Sequence, residues 1–388
     1  MDRLAYLNFK SLCIYIVFAF FILPGNFENY FRSLFYLTFL GINIIFFIKN
    51  SNIMFSKKKL FIFILLIYTY ILIILFSPYS VIFTSNTLIT LIIISMSMAE
   101  EKFIIKMVKS KYNVVLYYFL MVSLIIQLVL GLRYTYNGDI SLAIIGDKNY
   151  SGVVIILFYM YCDKNGFKIG RLLSIFSLIL LKSRGSLLML IFLLLIKLFR
   201  VKAYNFLKVI RMNKINHLFI IMALFTVAFS YYWTFFVSVH NVAAYETSLN
   251  DESNKSRFAS DVFSIEKLRE NGKLLLYGYD ENLKDIFGIN HSDPYYDSKF
   301  MGVRLVQPHN SILNVFIKSG ILFSLLYFYF LSKIIDKKYV LNNLEYIIPY
   351  LVNSVFLHRL LDGKFLIFWI VIILLPNLKI KRVKIKNN

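Results

Sequence analysis

The feature that most constrains this chain is a series of apolar runs, most of them about 15–22 residues long, the length a helix needs to cross ~30 Å of hydrocarbon. Such runs recur at about 11–23, 32–48, 60–76, 81–98, 114–131, 150–162, 171–182, 186–199, 217–239, 310–331, 345–358 and 364–378. Hydrophobic residues make up 59% of the 388 positions, well above the share a water-soluble domain carries. A membrane β-barrel would need short alternating strands, and these runs do not alternate. The chain therefore reads as an all-α polytopic membrane protein with about 12 transmembrane helices. The first run ends Phe21-Ile22-Leu23-Pro24, without the small residues of a cleavage site, so it is expected to stay as an anchor.

A formal net charge of +22 invites a nucleic-acid reading, but the distribution of charge opposes it. With the N-terminus inside and the runs alternating, the inside segments hold 27 of the 43 Lys and Arg but only 6 of the 21 Asp and Glu. That is the positive-inside bias, and it supports both the span count and cytoplasmic N- and C-termini. The partner this implies is membrane lipid, with no nucleic acid. Cys13 and Cys162 fall near the inner span ends and read as small packing residues, with no disulfide framework or metal pattern.

Three regions follow: 1–239, holding about nine spans; 240–308, a long polar loop on the outer side; and 309–388, with about three spans and a basic tail. A loop of that length is expected to fold or to carry function. Within it Phe258, Val262, Ile265 and Leu268 fall at helical spacing and Gly272 follows as a stop. That pattern predicts a short amphipathic helix over 256–271, lying on the outer face. The apolar "KLLLYGY" after it is expected to pack back onto the bundle.

Ionisable residues in or beside spans are costly, so each is a functional candidate. In "LLKSRGSLLML" two apolar runs meet at Lys182-Ser183-Arg184-Gly185 and predict a tight hairpin. The turn would fix the Arg184 guanidinium at the outer edge, where it can grip a phosphate bidentately. A snorkelling interfacial arginine has the same signature. Arg257 and Arg304 lie in the outer loop, as does His291. Asn310, Asn314 and Lys318 are spaced i, i+4, i+8 after His309 and make one polar stripe, facing either a wet cavity or a neighbouring helix. Glu28 is a lone carboxylate in the first outer loop. Asp-x-Asp, His-Glu-x-x-His, Walker and Gly-x-Ser-x-Gly patterns are absent from the sequence. Anion handling by arginine, with no metal and no cofactor, fits best.

Taken in order, four stretches resemble the O-antigen ligase and polymerase superfamily of bacterial envelope proteins. "GDKNYSG", containing Asn149, is similar to the family's Asp-Pro-Asn-type start of a span, with Lys148 in place of proline. "KSRGSLL" looks like its Ser-Arg-Gly turn. "SRFASDVFSIEKLRENGKLLLYGYDENL" resembles its loop pattern, with Asp280 in place of the second glycine and no tryptophan. "PHNSILNVFIKSGIL" is similar to its His-Asn helix. The resemblance implies a C-type glycosyltransferase-like fold and inverting, metal-independent transfer of glycan from undecaprenyl pyrophosphate at the periplasmic face of the inner membrane. It implies that Arg184 and Arg257 bind the pyrophosphate and that His309 orients or deprotonates the acceptor hydroxyl. Asn149, Lys182, Arg304, Asn310, Asn314 and Lys318 would line the substrate. A chain-length regulator protein is a further partner it suggests. Polymerase and ligase share these motifs, and the small size and Ile/Leu/Phe/Tyr bias incline the reading to a polymerase. A lipid-linked sugar flippase is the alternative from another class.

Overall fold

The computed structural model describes residues 111–133, 140–209, 215–232, 252–278 and 310–374, apart from six single positions, with six helical residues between 64 and 75. The expected spans at 11–23, 32–48 and 81–98, most of 60–76, and Cys13, Glu28, His291, Arg304 and His309 lie outside the described residues. Every regular element among the described residues is a helix. In chain order these are α1 Lys111–Arg133, α2 Lys148–Asn165, α3 Lys168–Leu181, α4 Arg184–Leu198, α5 Arg200–Val209 and α6 Ile215–Tyr232. There follow α7 Glu252–Glu270, α8 Gly272–Tyr277, α9 Ser311–Ile334, α10 Lys337–Asn342, α11 Leu344–Ser354 and α12 Gly363–Leu374.

The bundle is built around α2. Asp147 caps it, accepting from the N–H of Asn149 at 2.7 Å and of Tyr150 at 3.0 Å. Gly166, at φ 81°, ends it in the left-handed conformation that favours glycine. Between these caps Ser151 to Lys164 are all buried, which an apolar helix without a polar face requires. α3, α4 and α12 pack against α2. α3 turns Gly170, Ser174 and Ser177 inward, small residues that let two backbones come close. Its outer face shows Ile169, Leu172, Phe176 and Ile179. α4 exposes Leu188, Ile191, Leu195 and Leu198 in the same way, and α6 exposes Ile220, Leu224 and Val227. Apolar stripes on the outside of several helices are favoured by a hydrocarbon solvent and disfavoured by water. Two helices, over Val114–Leu132 and Ser311–Tyr329, are long and apolar enough to cross a membrane.

Three expectations need correction. The 310–331 run is not one straight helix: α9 breaks at Gly320, which sits at φ 70° and ψ 168°. The cause is α8, whose end lies directly on the break. A methyl on Gly320 would run into the carbonyl of Leu276, and one on Gly278 into the N–H of Gly320. Two glycine backbones thus meet where no side chain fits. Ser324 Oγ donates to the Gly320 carbonyl at 2.6 Å, part of the compensation a broken helix needs among apolar neighbours. The return of "KLLLYGY" onto the bundle is as expected; its consequence for α9 is not.

The second correction concerns α7. It forms where the spacing predicts a helix, but it does not lie on a surface with one face in water. Phe258 through Ser264 are all buried. Phe258 packs edge-on to Phe229 of α6 at 5.2 Å, and Ser230 Oγ donates to Asp261 Oδ2 at 3.3 Å. The polar residues that the spacing turned toward solvent face other helices instead. The third is that α5 and α10 are helical where connecting segments were expected.

Candidate functional site

The motif-bearing segments converge on one end of the bundle, beginning at the start of α2. Half-buried Asn149 directs Oδ1 at Ser183 Oγ, 3.3 Å away, so the α2 cap touches the α3–α4 turn across 34 residues of chain. Ser183 Oγ also lies 3.1 Å from Ser186 Oγ. Gly152 makes this approach possible, because a side chain there would meet Ser186.

The turn itself is as tight as the sequence predicts. α3 ends at Leu181, Lys182 takes a left-handed φ of 50°, and α4 begins at Arg184. The Lys182 N–H bonds the Ile179 carbonyl at 3.3 Å. Lys182 and Arg184 are exposed. The turn fixes the backbone of Arg184 but not its guanidinium, which bonds no described residue.

The start of α9 is tied into the same end. Asn310 is fully buried and caps the helix, accepting from Leu313 N–H at 2.9 Å. Its amide nitrogen donates to Thr226 Oγ1 at 2.9 Å and to the Val355 carbonyl at 3.2 Å. Ser311 Oγ donates to the Leu357 carbonyl and accepts from Leu360 N–H at 2.9 Å. Tyr327 and Tyr350 close the same α11–α12 connection through the carbonyls of Leu361 and Leu360. Asn310 therefore acts by holding α9, α6 and the end of α11 together. Asn314 is buried one turn below and Lys318 is half-buried just before the break at Gly320, so the stripe faces the bundle and not its outer surface. Arg257 is half-buried on α7, which packs on α6, α8 and α9.

The last member of this end was not singled out in the sequence. Asn353, on the final turn of α11, is 3% exposed. Its Oδ1 lies 3.3 Å from where a side chain on Gly185 would begin, and its Nδ2 has no hydrogen-bond partner among the described residues. In sequence it is one amide in an apolar helix, and only the fold brings it against the Arg184 turn.

The opposite end carries an ionic cluster that the sequence reading also missed. Asp163, 2% exposed, accepts from Lys197 Nζ at 2.6 Å, Tyr346 OH at 2.8 Å and Arg171 Nη1 at 3.1 Å. Lys164 is fully buried and donates to the carbonyls of Ile372 and Ile373, at 2.5 and 2.9 Å, near the end of α12. Arg200 pairs with buried Glu345 at 3.3 Å. Lys164, Arg171 and Lys197 are among the inner basic residues of the charge count. The cause is Asp163 beside Lys164 at the buried end of α2: an acid and an amine too costly to leave unpaired draw their partners from α3, α4, α11 and α12.

Among the described residues no group of three or more His, Cys, Asp or Glu is placed to hold a metal. Cys162 is a buried free thiol packed on Gly170. No family model, curated protein or solved structure matches this chain.

Proposed function

We propose that this chain is a polytopic inner-membrane glycosyltransferase, with about 12 spans and a C-type glycosyltransferase-like fold. It moves a growing surface glycan from undecaprenyl pyrophosphate onto the next lipid-linked repeat unit at the periplasmic face. The observation that carries the reading is convergence. The segments around Asn149, Arg184 and Asn310, which bear the resemblance to O-antigen polymerases and ligases, meet at one end through Ser183, Asn353 and Val355. At the opposite end Asp163 binds Arg171 and Lys197 and Glu345 binds Arg200, whereas exposed Lys182 and Arg184, at the candidate site, make no ion pair with a described residue.

The mechanism asks little of the protein beyond charge and one base. Arg184 and Arg257 would bind the pyrophosphate and offset the negative charge that develops as it leaves. His309 would orient or deprotonate the acceptor hydroxyl, which attacks the anomeric carbon with inversion while the pyrophosphate departs on its lipid. No metal or cofactor enters this scheme.

The test is a deletion strain whose lipopolysaccharide is run on a gel. Core plus a single repeat supports the polymerase. Core alone, with polymer left on its lipid carrier, supports a ligase, and an unchanged ladder overturns both. Arg184→Ala, Arg257→Ala and His309→Ala are each expected to lose long chains at normal protein level; wild-type chain length in the last removes the role assigned to His309. The break in α9 at Gly320, two residues from half-buried Lys318, favours a second reading, since transporters use interrupted helices. A flippase would leave core alone with unpolymerised lipid-linked units on the inner face.

A further inference from the structure

The ions of the Asp163 end mark one level in the bundle. Asp163, near the end of α2, binds Arg171 in the first turn of α3 and Lys197 in the last turn of α4. Tyr346, in the first turn of α11, reaches the same carboxylate, and its neighbour Glu345 binds Arg200 at the start of α5. In a bilayer, ions collect at the height where hydrocarbon gives way to headgroups. The clamp itself is complete, but two bases beside it take no part in it. Lys168, the first residue of α3, and Lys202, in the first turn of α5, are exposed and make no ion pair with a described residue.

The apolar wall of the bundle runs up to these ions without a polar margin. Leu198, Val201, Ile169 and Leu172, 69–75% exposed, are the most exposed large apolar side chains of α1 to α12 among the described residues. Each stands one or two residues from Arg171, Lys197 or Arg200. Lys202 carries its Nζ 5.9 Å from the centre of the exposed Phe199 ring. Water disfavours so much apolar surface, and hydrocarbon alone disfavours the amines beside it. A phospholipid suits both, with acyl chains on the aliphatic residues and phosphate among the lysines. The sign of the leftover charge selects the headgroup. An anionic one gains from both lysines, whereas the cation of a zwitterionic one cancels most of that gain.

We propose that the start of α3 and the α4–α5 junction form a binding surface for an anionic phospholipid of the cytoplasmic leaflet. Lys168 and Lys202 hold its headgroup, and Ile169, Leu172, Leu198 and Val201 hold its chains. The two lysines flank one carboxylate, since Lys168 lies one turn before Arg171 and Lys202 just beyond Lys197, and both of those bind Asp163. The leaflet follows from the inside placement of this end by the distribution of Lys and Arg. The proposal rests on the chain lying in a bilayer and not on glycosyl transfer.

The experiment is native mass spectrometry of the purified full chain, released from detergent with phosphatidylglycerol or with phosphatidylcholine of the same acyl chains. Phosphatidylglycerol is expected to bind about 30-fold more tightly, about five-fold for each of the two lysines. Lys168→Gln and Lys202→Gln should each lose about five-fold, and the double variant should bind both lipids alike. Both side chains are exposed, so the melting temperature without lipid should stay at the wild-type value. Lys182→Gln removes the exposed lysine at the other end of α3 and should keep the preference for phosphatidylglycerol. Wild-type affinity for phosphatidylglycerol in the double variant overturns the proposal. So does an equal loss in Lys182→Gln, which would make net charge and not this surface the cause. Displacement of the lipid by inorganic phosphate at equal affinity overturns it too, because the occupant would then be a free anion. A deletion strain that keeps full-length glycan chains removes the glycosyltransferase reading and leaves these binding results standing, so the two fail separately.

Discussion

Replacing Asp163 with alanine removes one carboxylate and three bonds, and the cost can be built up from their surroundings. The Tyr346 hydroxyl donates at 2.8 Å between two groups that are each 2% exposed or less. A buried bond to a charged acceptor is worth about 1.5–3 kcal/mol. Lys197 sits at 2.6 Å and Arg171 at 3.1 Å, but their side chains are 39% and 26% exposed. Water screens those pairs, so each contributes about 0–1 kcal/mol. Asp163→Ala should therefore cost about 2–5 kcal/mol, most of it through Tyr346 and not through the ion pairs. Asp163→Asn keeps an oxygen that can accept from Tyr346 and should cost roughly half as much. Tyr346→Phe should reproduce much of the alanine effect, and the double variant should fall short of the sum by about 1 kcal/mol or more. Unfolding of the purified chain in detergent, titrated with dodecyl sulfate, reads these differences. A neutral Asp163→Ala, or an asparagine variant as damaging as alanine, would refute the weighting. Glycan chain length in a complemented strain should follow protein level only, because Asp163 lies at the end away from Arg184.

Gly320→Val should displace α8, since its side chain runs into the Leu276 carbonyl and its φ of 70° disfavours a branched residue; protease cleavage between α8 and α9 should rise sharply, and unchanged protection would contradict the close approach. Asn310→Ala removes a cap and two cross-helix bonds and should cost about 2–4 kcal/mol in the same unfolding titration. Gly152→Leu should separate α2 from the start of α4 at Ser186 and lower the melting temperature, whereas a wild-type melting temperature would show that the helices do not touch there.

What could be read from the sequence was whatever local pattern decides. Helix existence from 111 to 133 and from 148 to 198, the hairpin at 182–184 and the return of 272–278 all follow from apolar runs, breakers and spacing. Failures came where a partner far along the chain decides. The 256–271 pattern has a polar face, but Ser260, Asp261 and Ser264 face α6 and other helices, which periodicity cannot distinguish from water. Nothing local marks Gly320 as a break in its apolar run; its positive-φ backbone meets Gly278, 42 residues earlier. Lys164 and Lys197 looked like ordinary inner-edge lysines because the hydroxyl and carbonyls that complete their cluster come from 346, 372 and 373.

The two ends of the bundle differ in how they engage their polar groups. At the Asp163 end some atoms are left over, Arg171 Nε and Glu345 Oε2, but each belongs to an ion whose other atoms are paired within the chain. Such an end is a clamp: it joins α2, α3, α4, α11 and α12 and needs nothing from outside. At the Asn310 end Asn310, Ser311 and Tyr327 are satisfied in the same inward way, but the first turn of α4 and Asn353 are not. Asn353 Oδ1 is its atom nearest to Gly185, and its Nδ2 is buried without a partner among the described residues, as are Ser264 Oγ and Ser319 Oγ elsewhere in the bundle. Unpaired buried groups are therefore spread through the bundle, whereas the clamp of five helices is confined to the Asp163 end.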